Sequence, residues 1–400
     1  MFLDVLMRRN SKFLSAIQML HQHGSLPTNS YALDLDAIET NSSLLFNAGQ
    51  IHGLEVIAMT KQIGRNPNAC SAIKAGGIRA AVAVDLECAI YSTINGLPIS
   101  HIGHLVQIPK AQIAEAMKLK PKTWTVFSLE QARWISDNAK RSNETQDISL
   151  RVWDEACIFY KGHEGGFHVS EALKMTAEIE RLPNLKVAGV TSFPALLFNK
   201  EQRSLQVTEN AKLITRVAES VEKLLGRSVI RNMPGTTSVG AMELLSDAGA
   251  TQVEPGHGLT GTTPISSFED TPEIPAVAYV TEVSHHHNGR AYVFGGGLYR
   301  DPVLGEVTTK ALVLTHSGDF QTYVADMPPA GSIDYYAALE ANGMDLLPPI
   351  GSTVIFGFRP QVFVTRGLTV GISDVQGNPK SHRAYGASGA ATLVAEGLYS

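Results

Sequence analysis

Lys61 follows Thr60 and a run of four apolar residues, in the stretch VIAMTKQIG (56–64). A continuous apolar run of this length is typical of a strand that is buried on both faces of a parallel sheet. A lysine amine that is partly removed from water at the end of such a strand has a lowered pKa, and the free amine is nucleophilic. Lys61 can therefore form an imine with an aldehyde. The alternative is a lysine whose side chain reaches solvent at the strand end.

Two loops that contain glycine offer the partners that a phosphate group needs. PGTTS (234–238) follows an apolar strand candidate, and its Gly235, Thr236 and Thr237 combine close backbone approach with amide and hydroxyl donors. EPGHG follows the next strand candidate and supplies two further glycines. Ordinary turns contain the same residue types, so the inference depends on their combination with Lys61. Together they indicate a cofactor with both an aldehyde and a phosphate, pyridoxal 5′-phosphate (PLP).

Short apolar strands alternate with helical patterns over the first 265 residues, which predicts an α/β fold with a parallel sheet. The strand candidates are YALDL (31–35), LEVIAMT (54–60), AAVAV (80–84), IGHLVQI (102–108), TWTVFS (123–128), ISLRVW (148–153), KVAGVTSF (186–193), VIRNM (229–233) and TQVEP (251–255), and the longest helical pattern runs from about 200 to 225. A (β/α)8 barrel of the TIM type uses eight strands, and the alternating pattern of YALDL sets it apart from the rest. In such barrels the functional side chains lie at the carboxyl ends of the strands, and phosphate sites often follow the seventh and eighth. Lys61 ends the first barrel strand, and the two loops follow the seventh and the eighth.

The pattern changes after about residue 265, where the polar stretch SSFEDTPEIP is typical of a linker. The β-type runs beyond it, separated by turn residues, predict a mainly antiparallel β domain with one helical candidate at IDYYAALEANG (333–343). We predict an N-terminal helical extension at 1–28, a PLP-binding barrel at 29–265 and a C-terminal β domain at 266–400. The strand 31–35 is expected to pair with the β domain.

The composition limits the classes of partner. The chain has 400 residues, a formal net charge of −5 and 18% charged residues, which leaves no basic surface for nucleic acid or an anionic membrane. Its three cysteines are odd in number and form no CxxC pair, as expected in a reducing cytosol and not in a disulfide framework or a structural zinc site. No apolar run reaches the length of about 18 residues that a membrane span requires. We expect a cytoplasmic protein that binds a small molecule.

These motifs resemble the alanine racemase-like superfamily of PLP enzymes, called fold type III, and in particular its YhfX-like branch. The opening DLDAIxxN of that family is matched at residues 34–38 and Asn41, and its strand with the Schiff-base lysine is matched by VIAMTK, which ends at Lys61. IGHL, with His104, is similar to the strand ending of small PLP-binding relatives. The resemblance covers about residues 30–260 and the β domain in outline. It implies that Lys61 and His104 contact the cofactor.

One departure from the alanine racemase pattern concerns the cofactor ring. Alanine racemases read VRPGIxLYG at the eighth strand, where this chain reads VEPGHGLTG (253–261). The resemblance implies that Glu254 replaces the arginine at the pyridine nitrogen, where a carboxylate favours the protonated ring and so a stronger electron sink. This is similar to the EPG motif of fold type III decarboxylases. Gly256 and His257 would lie near the phosphate, and Phe193 would stack on the ring in place of a histidine. The alternative for Glu254 is a solvated loop residue.

Racemisation requires two bases, one on each face of a planar Cα carbanion. The resemblance implies that Lys61 serves one face and that a tyrosine from the β domain of the partner subunit serves the other, in a homodimer with a shared active site. Tyr299 is the preferred candidate, ahead of Tyr292 and the histidines 285–287, and the alternative is an aromatic side chain packed at a strand end. No metal is expected, since the late strands show Phe358-Arg359-Pro360 where metal-bearing relatives carry His-x-Cys or His-x-Asp. Candidates for binding a substrate carboxylate are Arg300, Arg359 and Arg366, with a structural role as the alternative for each.

The sequence therefore predicts a PLP-dependent amino-acid racemase or epimerase that acts through a Cα carbanion. One alternative is a PLP-dependent lyase of the decarboxylase or D-amino-acid aldolase/dehydratase type. Decarboxylases carry a glycine-run phosphate loop and a late cysteine that this chain lacks, and the aldolase or dehydratase type calls for the absent metal pair. The other alternative is a non-catalytic PLP-binding protein, against which the additional β domain argues.

Overall fold

The computed structural model of the chain describes residues 2–301, 303–304, 308–314, 320–329, 331–341 and 347–392. These residues form two compact units. The first unit contains the residues up to Asn41, the segment Lys61–Ala72 and the residues from Leu259 onwards. The second unit contains Ser42–Thr60 and Ile73–Gly258.

The helices of the described residues begin and end at ordinary signals. In chain order they are α1 (Phe2–Arg9), α2 (Ser11–Gln22), α3 (Leu35–Ile51), α4 (Pro67–Ala75), α5 (Leu86–Ile94), α6 (Ile113–Lys118), α7 (Leu129–Ser142), α8 (Ala172–Glu180), α9 (Glu209–Leu225) and α10 (Met242–Asp247). Asp85 caps α5 by accepting a hydrogen bond from the Cys88 amide, and Ser128 caps α7 in the same way. Within the described ranges, none of these helices has the length and apolar character that crossing a membrane requires.

The strands are short, as in most globular domains. In chain order they are β1 (Ser30–Asp34), β2 (Glu55–Val56), β3 (Ala58–Met59), β4 (Ala81–Ala83), β5 (Ile99–Ile102), β6 (Thr123–Val126), β7 (Gln146–Trp153), β8 (Phe167–His168), β9 (Leu185–Thr191), β10 (Leu196–Asn199), β11 (Ser204–Val207), β12 (Ile230–Asn232), β13 (Gln252–Val253), β14 (Val277–His287), β15 (Arg290–Phe294), β16 (Thr309–Leu314), β17 (Phe320–Asp326), β18 (Tyr336–Glu340), β19 (Thr353–Phe356), β20 (Leu368–Ser373) and β21 (Lys380–Tyr385).

The second unit is a parallel barrel. Its strands follow the order β2-β13-β12-β9-β7-β6-β5-β4-β3. β2 and β3 are two halves of one chain segment, and β2 pairs with β13 while β3 pairs with β4, so this segment closes the sheet on itself. The strands are apolar because both of their faces are covered, and Val82, Val126 and Leu150 are fully buried. The predicted barrel of eight parallel strands is confirmed.

Two boundaries predicted for the barrel are wrong. The strand expected at 102–108 lies at Ile99–Ile102, because Gly103 has a positive φ of 87° and turns the chain away from the sheet. This places His101 inside the strand and His104 two residues beyond its end. The helix expected from about 200 begins at Glu209, because the preceding residues form the antiparallel hairpin of β10 and β11.

The first unit is a sheet of nine strands in the order β15-β18-β17-β16-β19-β14-β1-β20-β21. All of its pairings are antiparallel except that of β1 with β20, which confirms the predicted mainly antiparallel domain. β1, the YALDL segment, lies between β14 and β20 in this sheet. The apolar faces of α1 and α2 cover the sheet, where Leu6, Phe13 and Ile17 pack in one cluster with Val280 and Ile355.

The helix predicted at 333–343 is wrong. Residues Tyr336–Glu340 form β18, which pairs with β15 and β17, and residues 342–346 lie outside the described part of the chain. The run YAALE contains good helix formers, but its strand neighbours supply a full set of backbone partners and bury Ala337, Ala338 and Leu339. Tertiary pairing therefore overrides the local preference.

Candidate active site

The carboxylate of Glu254 lies at the centre of a buried polar cluster in the barrel. Glu254 directly follows β13 and is 4% exposed. Its Oε1 lies 3.1 Å from Nδ1 of His101, which is in β5, and its Oε2 lies 2.9 Å from Nε2 of His104. Nδ2 of Asn232, at the end of β12, donates a third contact of 2.8 Å to Oε1. Strand ends on two different sides of the barrel thus converge on one carboxylate.

This geometry fixes the charge state of Glu254 and His104. Burial alone raises the pKa of Glu254, but its interactions with His104 and the hydrogen bond from His101 lower that pKa by more, to well below its usual range. Burial lowers the pKa of His104 to about 4, against the opposing attraction of Glu254. At neutral pH the cluster therefore contains an ionised carboxylate beside a neutral imidazole.

His104 lacks a well-aligned hydrogen bond at either ring nitrogen. Nε2 lies 2.9 Å from Oε2 of Glu254, but neither Nε2 nor Nδ1 has a hydrogen-bond partner among the described residues. A fully buried imidazole of this kind is costly unless a ligand supplies a partner.

His101, His104 and Glu254 also have the composition of a metal site. One ligand atom from each lies within 4.8 Å of the others, and all three residues are buried. No metal was expected from the late strands, and no motif indicated that these three groups would meet. Two imidazoles and a carboxylate can bind zinc or another divalent cation, so this cluster requires a direct test.

Phe193 connects this cluster to a loop on the barrel. It follows β9, is half-buried, and its ring meets that of His104 edge-on at 6.4 Å between centroids. His163 stacks on Phe193 at 5.8 Å, and Tyr160 lies at 5.6 Å. Both residues belong to the loop after β7, where the buried Arg151 donates hydrogen bonds to the carbonyl oxygens of His104 and His163. The aromatic ring proposed for the cofactor thus belongs to a wider ring cluster.

The PGTTS loop follows β12 and contacts the hairpin strand β10. A Cβ atom on Gly235 would collide with the carbonyl oxygen of Leu196, so this position requires glycine. The amide of Thr236 donates to that carbonyl at 3.1 Å, and the amide of Thr237 donates to Gly235 at 2.9 Å. These two amides, expected as phosphate donors, therefore have partners within the protein. The buried Thr237 hydroxyl oxygen has none among the described residues and is the donor that the loop offers.

The EPGHG loop, which begins with Glu254, is buried. Gly256 is buried, and His257, at 8% exposure, begins the short 3₁₀ helix His257–Thr260. A side chain on Gly258 would come within 2.8 Å of the Thr237 carbonyl oxygen. The two glycine-containing loops therefore pack against each other in the barrel, as their places after neighbouring strands predict.

Lys61 begins the 3₁₀ helix Lys61–Ile63, directly after Thr60. Its side chain is half-buried, and Nζ lies 5.7 Å from the centroid of the Phe363 ring. The guanidinium of Arg65 lies 5.5 Å from the same ring. Cations over an aromatic face are held by electrostatic attraction, so Phe363 keeps both basic groups at one place in the first unit.

Tyr299 is half-buried in the first unit. Its pKa is raised to about 12, mainly by burial and also by Asp301, against the opposing effect of Arg359. Its hydroxyl is therefore protonated at neutral pH and is better suited to donate a proton than to remove one. Tyr292, the second choice, stacks on His285 with ring centroids 4.8 Å apart.

The arginines considered for a substrate carboxylate have partners within their own unit. Arg300 donates to two main-chain carbonyl oxygens, at 2.6 and 3.1 Å. Arg359 pairs with Asp301 at 3.0 Å, and Arg366 pairs with Asp334 at 2.7 Å. These contacts favour the structural alternative for all three.

His101, Asn232 and Arg151 were missed as site residues in the sequence. His101 was missed because the strand was placed three residues too late. A signal did exist, since a histidine, an asparagine or an arginine within a short apolar strand is unusual in a barrel that is covered on both faces. Gln252 and Glu254 also lie two residues apart, which places both on one face of their strand.

The barrel, the added β domain and the buried polar cluster at the strand ends define the class of protein. The chain belongs to the alanine racemase family of PLP-dependent enzymes, since the family model described as alanine racemase, N-terminal domain, matches residues 33–264. A second model, described as YhfX-like, C-terminal domain, matches residues 278–381. The chain is 36% identical to the protein YhfX of Escherichia coli (strain K12) over 383 residues. This alignment covers 95% of this chain and 96% of that protein.

Enzymes with different names have solved structures of similar fold. D-threonine aldolase from Filomicrobium marinum matches with a TM-score of 0.66 and 15% identity, over 91% of this chain and 96% of that one. Alanine racemase of Clostridium difficile 630, in complex with cycloserine, matches with a TM-score of 0.63 and 16% identity, over 91% and 99% of the two chains. At these identities the likeness shows the fold alone.

The cofactor of the family is PLP, and the barrel offers groups that fit it. Nδ1 of the buried His104 and the buried hydroxyl of Thr237 both lack partners among the described residues. The first can form a hydrogen bond with a polar group of the ring, and the second suits a phosphate oxygen. An ionised carboxylate such as Glu254 suits a protonated ring nitrogen. These three positions match the polar groups of PLP.

Proposed function

We propose that this protein is a PLP-dependent amino-acid racemase or epimerase, which removes and returns the proton at Cα of a small amino acid. When bound, PLP supplies an aldehyde for an amine and an electron-accepting ring for the charge that develops at Cα. The observation that carries the proposal is the buried, ionised Glu254, which accepts hydrogen bonds from His101 and Asn232. A fixed negative charge of this kind favours protonation of the ring and so strengthens the electron sink.

Lys61 is proposed as the residue that binds the aldehyde and exchanges the Cα proton on one face. It follows the barrel segment of β2 and β3, and its amine is half-buried. His104 and Phe193 are proposed to contact the ring, and Thr237, with Gly235, Thr236, Gly256 and His257 around it, to bind the phosphate. Thr237 is supported by its partnerless hydroxyl. Thr236 is proposed to act through its hydroxyl, since its amide is already used.

Tyr299 is proposed as the group on the other face, contributed by the second copy in a homodimer. With a pKa raised to about 12, it acts as the proton donor to Cα, and the tyrosinate then takes a proton from solvent while the proton that Lys61 removed is released to solvent. Cys70 and Cys88 are buried and form no disulfide, which supports the expected cytoplasmic location.

A second candidate is a PLP-dependent lyase, and one observation favours it. Racemisation needs a base on each face, whereas the high pKa of Tyr299 makes it a poor base. A lyase uses the same electron sink but needs only one Cα base or none. One of the structural neighbours is a D-threonine aldolase.

The test is incubation of the PLP-loaded protein with single enantiomers of amino acids in D2O. A racemase incorporates deuterium at Cα and produces the opposite enantiomer. A lyase releases an aldehyde, an oxoacid or carbon dioxide, and the amount of the amino acid falls. If no amino acid gains deuterium or is consumed, while the protein still binds PLP, the proposal of an enzyme acting at Cα is wrong.

A further inference from the structure

A chain of polar side chains runs along neighbouring strands of the barrel and ends at Glu254. We call it the buried polar chain; its buried members are Gln252 (β13), Asn232 (β12), Thr191 (β9) and Glu254, and its outer end is Glu55 (β2), whose side chain is 40% exposed. Gln252 and Asn232 are each 1% exposed. Barrel cores are normally filled by branched apolar side chains, and buried amides are costly unless every hydrogen bond is made. Such a chain of buried amides is therefore unusual in a barrel core and calls for a functional explanation.

The hydrogen bonds of the chain can run in only one direction. Gln252 Nε2 donates to Glu55 Oε2 at 2.9 Å, and Asn232 Nδ2 donates to Gln252 Oε1 at 2.9 Å. The same Nδ2 donates to Glu254 Oε1 at 2.8 Å, while Asn232 Oδ1 accepts from the Thr191 hydroxyl at 2.7 Å. A flipped Asn232 amide would place its oxygen against two other acceptors, so the orientation is determined. Oε1 of Glu254 is consequently always an acceptor.

We infer that Asn232 is a positioning residue that holds Glu254 ionised and in one orientation, and that Thr191 and Gln252 fix the Asn232 amide for this purpose. The inference rests on the proposed function, in which Glu254 faces the cofactor ring. Protonation of Oε1 would oppose its proton to the donor Nδ2 of Asn232, so the chain disfavours the neutral acid at this oxygen. A neutral amide achieves this without adding a charge beside Glu254.

The charged and titratable groups around Glu254 in the barrel unit are few. His101 comes from β5, His104 follows it, and Arg151 in β7 acts through His104, whose pKa it lowers. Glu55 is separated from Glu254 by two amides and pairs with Lys122 at 2.9 Å. Among the side chains that contact the Glu254 carboxylate, Asn232 is thus the one with no titratable group. Replacing it with an acid changes the charge beside Glu254 directly.

The test uses Asn232→Asp, which keeps the shape of the side chain but adds a carboxylate beside Glu254. Two adjacent carboxylates share a proton, so one of the two pKa values of the pair is strongly raised relative to the isolated acids. Glutamate labelled with 13C at Cδ, in the protein without cofactor, reports this pKa by NMR, with Glu254→Gln to assign the signal. We expect no titration of Glu254 above pH 5 in the parent protein and a titration above pH 5 in Asn232→Asp.

Two further variants test whether the change at Glu254 depends on the orientation of Asn232 and is specific to this position. Thr191→Val removes the hydroxyl that orients Asn232, and we expect a smaller rise in the pKa of Glu254. Asn210→Asp replaces another fully buried asparagine, which bonds Ile158 and Ser192, and should leave the Glu254 signal unchanged. An unchanged Glu254 signal in folded Asn232→Asp or Thr191→Val contradicts the inference.

The ring nitrogen of 15N-labelled PLP separates this inference from the proposed function. If Glu254→Gln leaves the 15N shift of the bound ring unchanged, Glu254 does not contact the ring and that part of the proposed function is wrong. The role of Asn232 toward Glu254 is still decided by the 13C signal. If Glu254→Gln moves the 15N shift, Asn232→Asp should move it in the same direction at pH values below the raised pKa of the carboxylate pair, where the pair holds a proton and Glu254 loses its charge.

Discussion

The amide of Met59 donates a hydrogen bond of 2.9 Å to the carbonyl oxygen of Pro255. This bond joins the carboxyl ends of the first and the eighth strand of the barrel, where the sheet closes. Lys61 follows Met59 by two residues, and Glu254 directly precedes Pro255. The lysine and the carboxylate that the proposed function requires thus follow neighbouring strand ends, the position at which barrel enzymes place their functional groups.

Replacing Lys61 with alanine should abolish covalent retention of PLP and lower the rate of Cα proton exchange by at least about a thousandfold. The reason is that the amine is proposed both to bind the aldehyde and to move the proton. The measurement is the mass of the protein after borohydride reduction with PLP, together with the visible absorbance. Lys74→Ala, on the exposed side of α4, is the matched control and should retain both signals. Normal trapping in Lys61→Ala would assign the aldehyde to another lysine.

Replacing Glu254 with glutamine should lower the rate of Cα proton exchange about a hundredfold or more, because the ring loses the charge that keeps it protonated. The side chain keeps its size, so binding of PLP should change much less than the rate. The rate is measured by deuterium incorporation at saturating PLP. Glu243→Gln in α10 changes an exposed glutamate and serves as the control. Equal rates in the two variants would remove Glu254 from the catalytic residues.

The barrel could be predicted from the sequence because its strands are continuous apolar runs, as at residues 56–59, and because YALDL alternates instead. The polar cluster could not be predicted in full. His101, Asn232 and Glu254 come from three separate strands, and a single sequence does not show which strand ends face one another. The β18 strand was missed because helix formers in YAALE act locally, whereas the partners that override them come from β15 and β17.

Folding stability should fall as the pH is lowered from about 6.5 to 4, through the titration of His104. Burial lowers its pKa to about 4, while the unfolded chain has the usual histidine value of about 6.5. Between these values the unfolded chain binds a proton that the folded chain does not, so stability is lost toward acid, by about 3 kcal/mol in total. Urea unfolding of the protein without cofactor, at pH 7.5, 6 and 5, measures the loss.

Glu254 contributes in the same sense at lower pH. Its folded pKa is depressed, so the stability it supplies is present above the usual glutamate pKa of about 4.3 and is lost as the pH falls below it.

His104→Gln should flatten the loss between pH 6.5 and 5, whereas His23→Gln, at an exposed position, should not. A parallel loss in parent and His104→Gln would show that another group is responsible.

Removal of divalent metal should leave the protein unchanged. His101, His104 and Glu254 can in principle bind a cation, but Oε1 of Glu254 already accepts hydrogen bonds from His101 and Asn232. The protons on these donors occupy the space that a metal ion would need. Metal analysis of the purified protein should find less than one ion per chain, and EDTA should alter neither PLP binding nor Cα exchange. Stoichiometric zinc that only EDTA releases, with loss of PLP, would reassign the cluster as a metal site.

The N-terminal helices should contribute to the stability of the β sheet that they cover. Phe13 is fully buried in the cluster with Ile17 and Ile355, so Phe13→Ala leaves a cavity and should cost about 3 to 5 kcal/mol in the free energy of unfolding. Lys12→Ala, at the exposed neighbouring position, is the control and should change stability by less than about 0.5 kcal/mol. Denaturant unfolding measures both values. Equal stabilities would mean that the helices detach from the sheet at little cost.

The proposed role of Tyr299 can be tested by mixing two inactive variants. If each active site combines Lys61 of one copy with Tyr299 of the other, a hybrid of Lys61→Ala and Tyr299→Phe contains one complete site and one site that lacks both groups. Random assortment makes half of the dimers hybrid, so the mixture should recover about a quarter of the parent racemisation rate. If Tyr299 acts on the Lys61 of its own chain, mixing restores nothing. Tyr292→Phe is the control and should be active alone. A Tyr299→Phe protein that still racemises at the parent rate would assign the second face to another residue. One that exchanges deuterium with retention of configuration would support Tyr299 as the donor on that face.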